Sequence, residues 1–363
     1  MTRTTTLRGL LTAALGTALL AGCGGSGDGE DGGDAAGPES KTVTLVTHQS
    51  FLVSDDVLEQ FTEETGYRVE VLGSADAGVV VNKAILSAGN PEGDVLFGVD
   101  NTMLSKALDA GIFTPYEAKG LDRVPQDVQP DSGQHRVTPV DTGQVCVNYD
   151  RAYFEDQGVE PPRTLEDLTE PRYKDLLVVQ NPATSSPGLA FLLATVGAFG
   201  ESGWQDYWKD LKANGVLQAE GWEQAYNDHF SGSAAGRDGD RPLVVSYASS
   251  PPAEVYYGTE KNPGQAPTGV ATGTCFQQTE FAGLLDGAAN PEGGKALLDF
   301  LLSRTFQEDI PLSMFVHPVR EDAELPEVFT RYGAESKDPH QVAPEKIDAG
   351  REQWIEQWSS LMR

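Results

Sequence analysis

Residues 41–72 read "KTVTLVTHQSFLVSDDVLEQFTEETGYRVEVL", and this stretch decides the fold. Its first part alternates apolar and polar side chains, the period of a strand with one buried face. Val57, Leu58 and Phe61 then recur at helical spacing, and Gly66 stops the helix. "YRVEVL" follows at once as a second strand. Outward from there the alternation continues: "AGVVVNKAILSAG" (77–89) as helix, "GDVLFGV" (93–99) as a buried strand, and "NTMLSKALDAGIF" (101–113) as another helix. Strand alternating with helix predicts a mostly parallel, doubly wound α/β sheet.

The second half repeats the pattern. "GQVCVNYD" (143–150) is strand-like, and "TLEDLTEPRYKDLLVVQNP" (164–182) gives a helix and then a strand. "PGLAFLLATVGAFG" (187–200) and "GWQDYWKDLKANG" (203–215) are helices, and "PLVVSYASSP" (242–251) is a strand. "GTCFQQTEFAGLL" (273–285) returns as a strand toward the first half, and "EGGKALLDFLLSRTFQEDI" (292–310) is expected as one long amphipathic helix. The final helix carries Trp354 and Trp358 four residues apart on one face. No internal repeat is present.

Residues 1–22 carry Arg3 and Arg8, then "LLTAALGTALLAG", with no acidic side chain: a charged segment followed by an apolar one too short to span a bilayer comfortably. It ends in "LLAGC", which resembles a bacterial lipobox and makes Cys23 the lipidated first residue after cleavage of a lipoprotein signal peptide. Residues 23–40 lack any large apolar side chain and read as a flexible acidic tether. From Lys41 about 320 residues remain, above the size at which a single core stops growing. Two lobes are expected: 41–141 plus 276–330, and 142–275, with 331–363 packing on them as C-terminal helices.

Formal charge is −29, and losing the leader removes two arginines and no acid, leaving −31. That excludes nucleic acid as a natural partner and favours capture of a cation. Beyond Cys23 only Cys146 and Cys275 remain. With no Cys-x-x-Cys or His-x-x-x-His spacing, they read as a disulfide or as two small buried apolar residues, and no metal site is expected.

Open α/β sheets bind ligands beyond the carboxyl ends of their strands. There lie His48 and Ser50, then Asp76, Asp100, Asp141 and Glu280, the cluster "NPATSSPG" (181–188), and "SYASSP" (246–251). If Pro187 begins a helix, Ser185 or Ser186 caps it. The spare hydroxyls and free amides then form a donor cup for an oxygen or a phosphate, unless all three hydroxyls serve only the cap. Asp100 has the same two readings, as a helix cap or as a carboxylate for a cation. Catalysis has little support: there is no Gly-x-Ser-x-Gly elbow, phosphate loop or dinucleotide fingerprint, and the histidines at 48, 135, 229, 317 and 340 are scattered.

"HQSF", "VLFGVDNTML", "NPATSSPGLAFLL", "EGWEQAY", "VVSYASSPPAEV" and "FQEDIPLSMFVHPV" together resemble, in the same order, the thiamine-binding lipoproteins that serve ABC importers. The resemblance implies a type II periplasmic-binding-protein fold, two doubly wound lobes joined by crossing strands. It also implies a monomer outside the cytoplasm, held to the outer face of the membrane by lipid alone, that passes thiamine or its phosphates to an importer permease. It implies no enzymatic activity and no cofactor beyond the transported ligand.

Residue by residue, the resemblance puts Ser185, Trp222 and Tyr247 at the tail of the ligand and His48 and Phe315 at its rings. For the cation Asp100 is the favoured carboxylate, with Asp76 and Asp141 as further candidates that read equally as a polar-loop residue and a hinge tie, and Glu280 ranks below them. Ser50, Ser186, Gly188 and Tyr226 belong to the matching motifs. Ala253 stands where the family has an aromatic residue. The same class contains ferric-iron binders that use adjacent tyrosines, which Tyr256 and Tyr257 would supply, and a cell-envelope lipoprotein enzyme is the more distant alternative.

Overall fold

The computed structural model describes residues 41–234, 239–260 and 263–363. The expected signal peptide, the lipidation expected at Cys23 and the expected tether lie outside the described residues. In chain order the strands are β1 (Thr42–Thr47), β2 (Arg68–Gly73), β3 (Val95–Asp100), β4 (Phe113–Thr114), β5 (Thr138–Asp150), β6 (Leu177–Gln180), β7 (Leu217–Ala219), β8 (Leu243–Tyr247), β9 (Thr268–Leu285) and β10 (His317–Pro318). They form one sheet in the order β2-β1-β3-β9-β5-β8-β6-β7, with β4 on β9 and β10 on β5.

The sheet has two parallel groups, β2-β1-β3 and β8-β6-β7. Between them lie β9 and β5, antiparallel to each other and to the groups they border. This is the strand–helix–strand grammar of each half of the sequence, joined by two long strands that belong to both. β3 is buried at every position, as a strand covered on both faces must be. The Asp55–Thr65 helix carries Asp55 and Asp56 in its first turn, where negative charge meets the positive end of the helix dipole. It ends at Gly66, whose φ of 77° is the left-handed conformation that glycine takes freely.

Several elements differ from expectation. "TLEDLTEPRYKD" forms two 3-10 turns, Glu166–Thr169 and Pro171–Tyr173, rather than a helix. Pro171 has no amide hydrogen to donate and forces Glu170 into an extended conformation. The long helix expected over 292–310 is two helices, Pro291–Leu301 and Arg304–Ser313, because the extended Ser303 starts a new one by accepting the Phe306 amide at 3.2 Å. β7 and the Arg151–Gln157 helix carry no pattern strong enough to announce themselves.

The expected break near residue 200 is present: Ser186–Ala213 is helical on either side of Gly200, whose φ is 67°. The Pro344–Met362 helix packs on it through Trp358, edge-on to Trp208 with ring centres 5.4 Å apart. Among the described residues no helix is long and apolar enough to cross a membrane.

Cys146 of β5 and Cys275 of β9 form a disulfide. It sits where the β5–β9 register slips: Val145 pairs with Phe276, but Val147 pairs with Ala271. The Thr274 hydroxyl fills the gap by accepting the Val147 amide at 2.8 Å. A covalent link therefore holds the crossing strands together at the point where the hydrogen-bond ladder is weakest.

Candidate functional site

β9 lies between β3 and β5, and its register places Glu280 opposite both Asp100 of β3 and Asp141 of β5. Three carboxyl groups thus stand in a row across the middle of the sheet, all buried. Like charges facing each other across strands destabilise a sheet, so a row of three needs an account. Asp100 is satisfied by protein donors. Its Oδ1 accepts the Thr102 amide at 2.8 Å and the Thr102 hydroxyl at 2.5 Å, and its Oδ2 accepts Gln278 Nε2 at 2.7 Å and the Ser186 hydroxyl.

Asp141 and Glu280 are not satisfied in this way. Asp141 Oδ2 is buried without a partner, and Glu280 stands directly opposite it across the β5–β9 ladder. Burial, with the charge of Asp100 adding to it, raises the Asp141 carboxyl to about 7. Burial first, then Asp141 and Asp100, pushes Glu280 well above the usual carboxylate range. The pair therefore holds a proton near neutrality. The Nε2 atom of His48 lies 3.9 Å from Glu280, but burial lowers its pKa to about 4, so the ring is neutral there and offers no compensating charge. Among the described residues, no lysine or arginine pairs with any member of the row.

The place of His48 is prepared by β3. The β3–β9 ladder bulges between Phe97 and Val99, and Gly98 at the bulge has φ of 101°. A Cβ there would come within 2.6 Å of the imidazole, so only glycine lets the ring lie against the strand.

The other end of the site is built from helix starts. Asp76 caps the Ala77–Leu86 helix by accepting the Ala77 amide at 2.8 Å. It also reaches across to the second half, accepting the amides of Ser186 at 3.3 Å and Trp222 at 2.9 Å. Burial raises the pKa of Asp76, and the Trp222 amide offsets part of that shift; the Ser185 hydroxyl is buried without a hydrogen-bond partner. Ser50 makes a second link across the halves, donating to Glu223 at 2.8 Å.

Between these two ends is a cavity of about 410 Å³. One wall is aromatic: Trp222 stacks on Tyr226 at 4.9 Å between ring centres, with its indole N–H donated to Ser246 at 2.9 Å. Trp222 lies two residues before a π-helical turn, Gln224–His229, a geometry found often at functional sites. Across from it stands Phe315, with φ of 56°, a left-handed conformation costly for a residue that has a Cβ. Its ring packs on Phe329 and Tyr257, and its carbonyl accepts the Ser249 hydroxyl at 2.5 Å. Burial, then the charge of Glu280, keeps the Tyr247 phenol neutral.

Of the residues singled out from sequence, His48, Ser50, Asp76, Ser186, Trp222, Tyr226, Tyr247, Glu280 and Phe315 line this cavity. Asp100, Asp141, Ser185 and Gly188 stand behind its wall. Asp100 orients Ser186 and Gln278, and Asp141 backs Glu280. Gly188 serves packing, since a Cβ would meet the Gln180 carbonyl at 2.7 Å. Tyr257 lines the mouth, while Tyr256 is 44 % exposed and packs edge-on against it.

Sequence reading missed Glu223 and Glu254. Glu254 is buried, accepts the Tyr226 hydroxyl at 2.7 Å and the Ala234 amide at 2.5 Å, and burial raises its pKa. The available signal was an acidic residue one turn into an otherwise apolar helix just past a strand end. Among the described residues no group of three or more His, Cys, Asp or Glu side chains is arranged to hold a metal ion.

Residues 90–335 match the family described as bacterial extracellular solute-binding protein. The thiamine-binding periplasmic protein of Salmonella typhimurium is 27 % identical over 321 residues, covering 87 % of this chain and 92 % of its own. A solved periplasmic thiamin binding protein superposes with a TM-score of 0.75 at 24 % identity, over 89 % of this chain and 96 % of that one. Iron-bound HitA from Pseudomonas aeruginosa superposes at 0.68 and 17 % identity, over 88 % and 99 %. With more than half of its length matched and the crossing-strand architecture shared, the chain belongs to the bacterial extracellular solute-binding proteins and has the type II periplasmic-binding-protein fold.

Proposed function

We propose that this protein captures thiamine outside the cytoplasm and delivers it to an ABC importer, without chemical turnover. The observation that carries the reading is Glu280, a buried carboxyl backed by Asp141 and without a lysine or arginine partner, in the lining of a cavity that also carries aromatic rings. Thiamine is a permanent thiazolium cation joined to a flat aminopyrimidine, with a hydroxyethyl tail. A desolvated carboxylate satisfies the cation, stacked rings satisfy the flat heterocycles, and hydroxyls at the helix starts satisfy the tail. The thiamine-binding relatives support the same reading.

Calorimetry on protein stripped of ligand by unfolding and refolding tests it. Thiamine should bind with Kd on the order of micromolar or tighter and be recovered unchanged. Binding of ferric citrate with no response to thiamine would overturn the reading and move attention to Tyr256 and Tyr257.

Lipid anchoring through Cys23 belongs to the same proposal, resting on "LLAGC" at the end of the leader. In a native host the full-length protein should sediment with membranes, and Cys23→Ala should release it. A wild-type protein found wholly in the medium rules the anchor out.

A further inference from the structure

Arg351, in the C-terminal helix, is the one lysine or arginine buried among the described residues. A guanidinium is costly to bury unless its N–H groups are used. Its Nη1 donates to the carbonyl of Thr102, 249 residues away in the chain, at 3.2 Å, and to the Ser105 hydroxyl at 3.3 Å. Thr102 is the residue whose amide and hydroxyl both satisfy Asp100 Oδ1. The guanidinium therefore grips the turn that holds the first member of the carboxyl row. The other Asp100 oxygen takes Gln278 and the Ser186 hydroxyl, and Ser186 begins the helix on which the C-terminal helix packs. The C-terminal helix thus buttresses two of the elements that supply Asp100 with donors, the Thr102 turn through Arg351 and the Ser186–Ala213 helix through Trp358. A second contact beside Arg351 is of another kind: Glu352 pairs with Lys106 at 2.8 Å, but its side chain is 64 % exposed, and such surface pairs contribute little.

We propose that Arg351 is a positioning residue for the binding site, acting from outside the cavity through the Thr102 turn on Asp100, and so on the carboxyl row that takes the cation. The proposal rests on the thiamine reading and adds the C-terminal helix to the machinery behind it. Asp100 stands opposite Glu280 across the β3–β9 ladder, and the turn supplies the donors that hold its charge. Without the clamp the turn can swing its amide and hydroxyl away, and Asp100 then competes for the proton of the Asp141–Glu280 pair. That weakens the seat for a cation and raises the pH at which the row ionises. His48, Asp76 and Tyr247 also face the row, from the end of β1, the start of the Ala77–Leu86 helix and the end of β8, and are expected to keep their places in the variants below.

The experiment is calorimetric titration of ligand-stripped protein with thiamine between about pH 6 and 8.5, for wild type, Arg351→Met, Arg351→Lys, Thr102→Val and the Arg351→Met/Thr102→Val double variant. Methionine offers nothing to the Thr102 carbonyl, lysine restores a donor, and valine keeps the shape of threonine without its hydroxyl. Arg351→Met should weaken thiamine by roughly fivefold to thirtyfold and move the pH profile upward by roughly half a unit. Lysine should recover part of both, Thr102→Val should act in the same direction, and the two losses should not add in the double variant, because they pass through one turn. Glu352→Gln, which breaks only the surface pair, should leave affinity and profile unchanged. In ligand-free protein Arg351→Met should speed hydrogen exchange over residues 101–104 by roughly tenfold or more relative to β5 and β9. A folded Arg351→Met protein with wild-type affinity, an unmoved pH profile or strictly additive losses overturns the proposal and leaves the thiamine reading standing. If Arg351→Met does not fold, Arg351→Lys and Thr102→Val decide by the same affinity and pH readouts. A wild type that binds no thiamine overturns the thiamine reading, and exchange at the turn then decides alone whether Arg351 holds the donors of Asp100.

Discussion

Glu280→Gln should lower thiamine affinity by roughly tenfold to a hundredfold while making the empty protein more resistant to heat. Both effects come from the same geometry. Glu280 is the one member of the carboxyl row that reaches the cavity, and it pairs across strands with Asp100 on one side and Asp141 on the other. Glutamine keeps the volume and removes the charge, so the thiazolium loses its desolvated counter-ion. The heat resistance shows above about pH 7, where loss of the proton held by the pair would set ionised carboxyl groups side by side in the wild type and glutamine does not ionise. Calorimetric titration and a thermal melt on one preparation read both quantities, and unchanged affinity would remove Glu280 from the cation site.

The second large effect is with pH. Thiamine binding should tighten from about pH 5.5 to 8.5 and should release protons, because a cation favours the ionised form of the pair whose proton it displaces. The sign follows from the direction of the shifts. Asp141 is raised to about 7 and Glu280 well above its usual value, so the pair keeps its proton in the empty folded protein at pH values where the unfolded chain has lost it. The empty protein therefore loses stability as pH rises from about 4 through 7, while the complex gains affinity across the upper part of that window.

The other groups facing the pair do not reverse this. His48 has its pKa lowered to about 4 and stays neutral throughout, and Asp76 is itself raised by burial and adds to the trend. Titrations in buffers of different ionisation heat count the protons released. A count of zero between pH 6 and 7.5, with flat affinity, would dispose of the shared proton.

The alternating α/β grammar was legible because it is local. β1, the helix after it, β3 and β8 announce themselves through periodicity within a dozen residues, and strand ends direct attention to His48, Ser50 and Tyr247. The splits at Pro171 and Ser303 were missed because the apolar spacing runs straight across them, while the backbone there is decided by one proline and one cap.

The row of acids could not be read at all. Asp100, Asp141 and Glu280 can each be nominated from the sequence, but their meeting depends on strand register between residues far apart in the chain. Glu254 was passed over for a similar reason: its partner is the Tyr226 hydroxyl on a different helix. Asp76 was legible as an acidic residue near the ligand, but its service to the amides of Ser186 and Trp222 was not, because backbone donors leave no trace in composition.

The place of β9 has a consequence for how the chain comes together. β9 begins at Thr268, yet it fills the gap between β3 and β5. Until it arrives, β3 presents an open edge of unpaired amides and carbonyls, the kind of surface that invites mispairing. Closing so long a loop also delays the pairing that would cover it. The row of carboxyl groups cannot exist before that strand is inserted, since Glu280 is its middle member. The chain thus assembles both flanking parts of the sheet free of the repulsion, and meets it only at the step that completes the binding site.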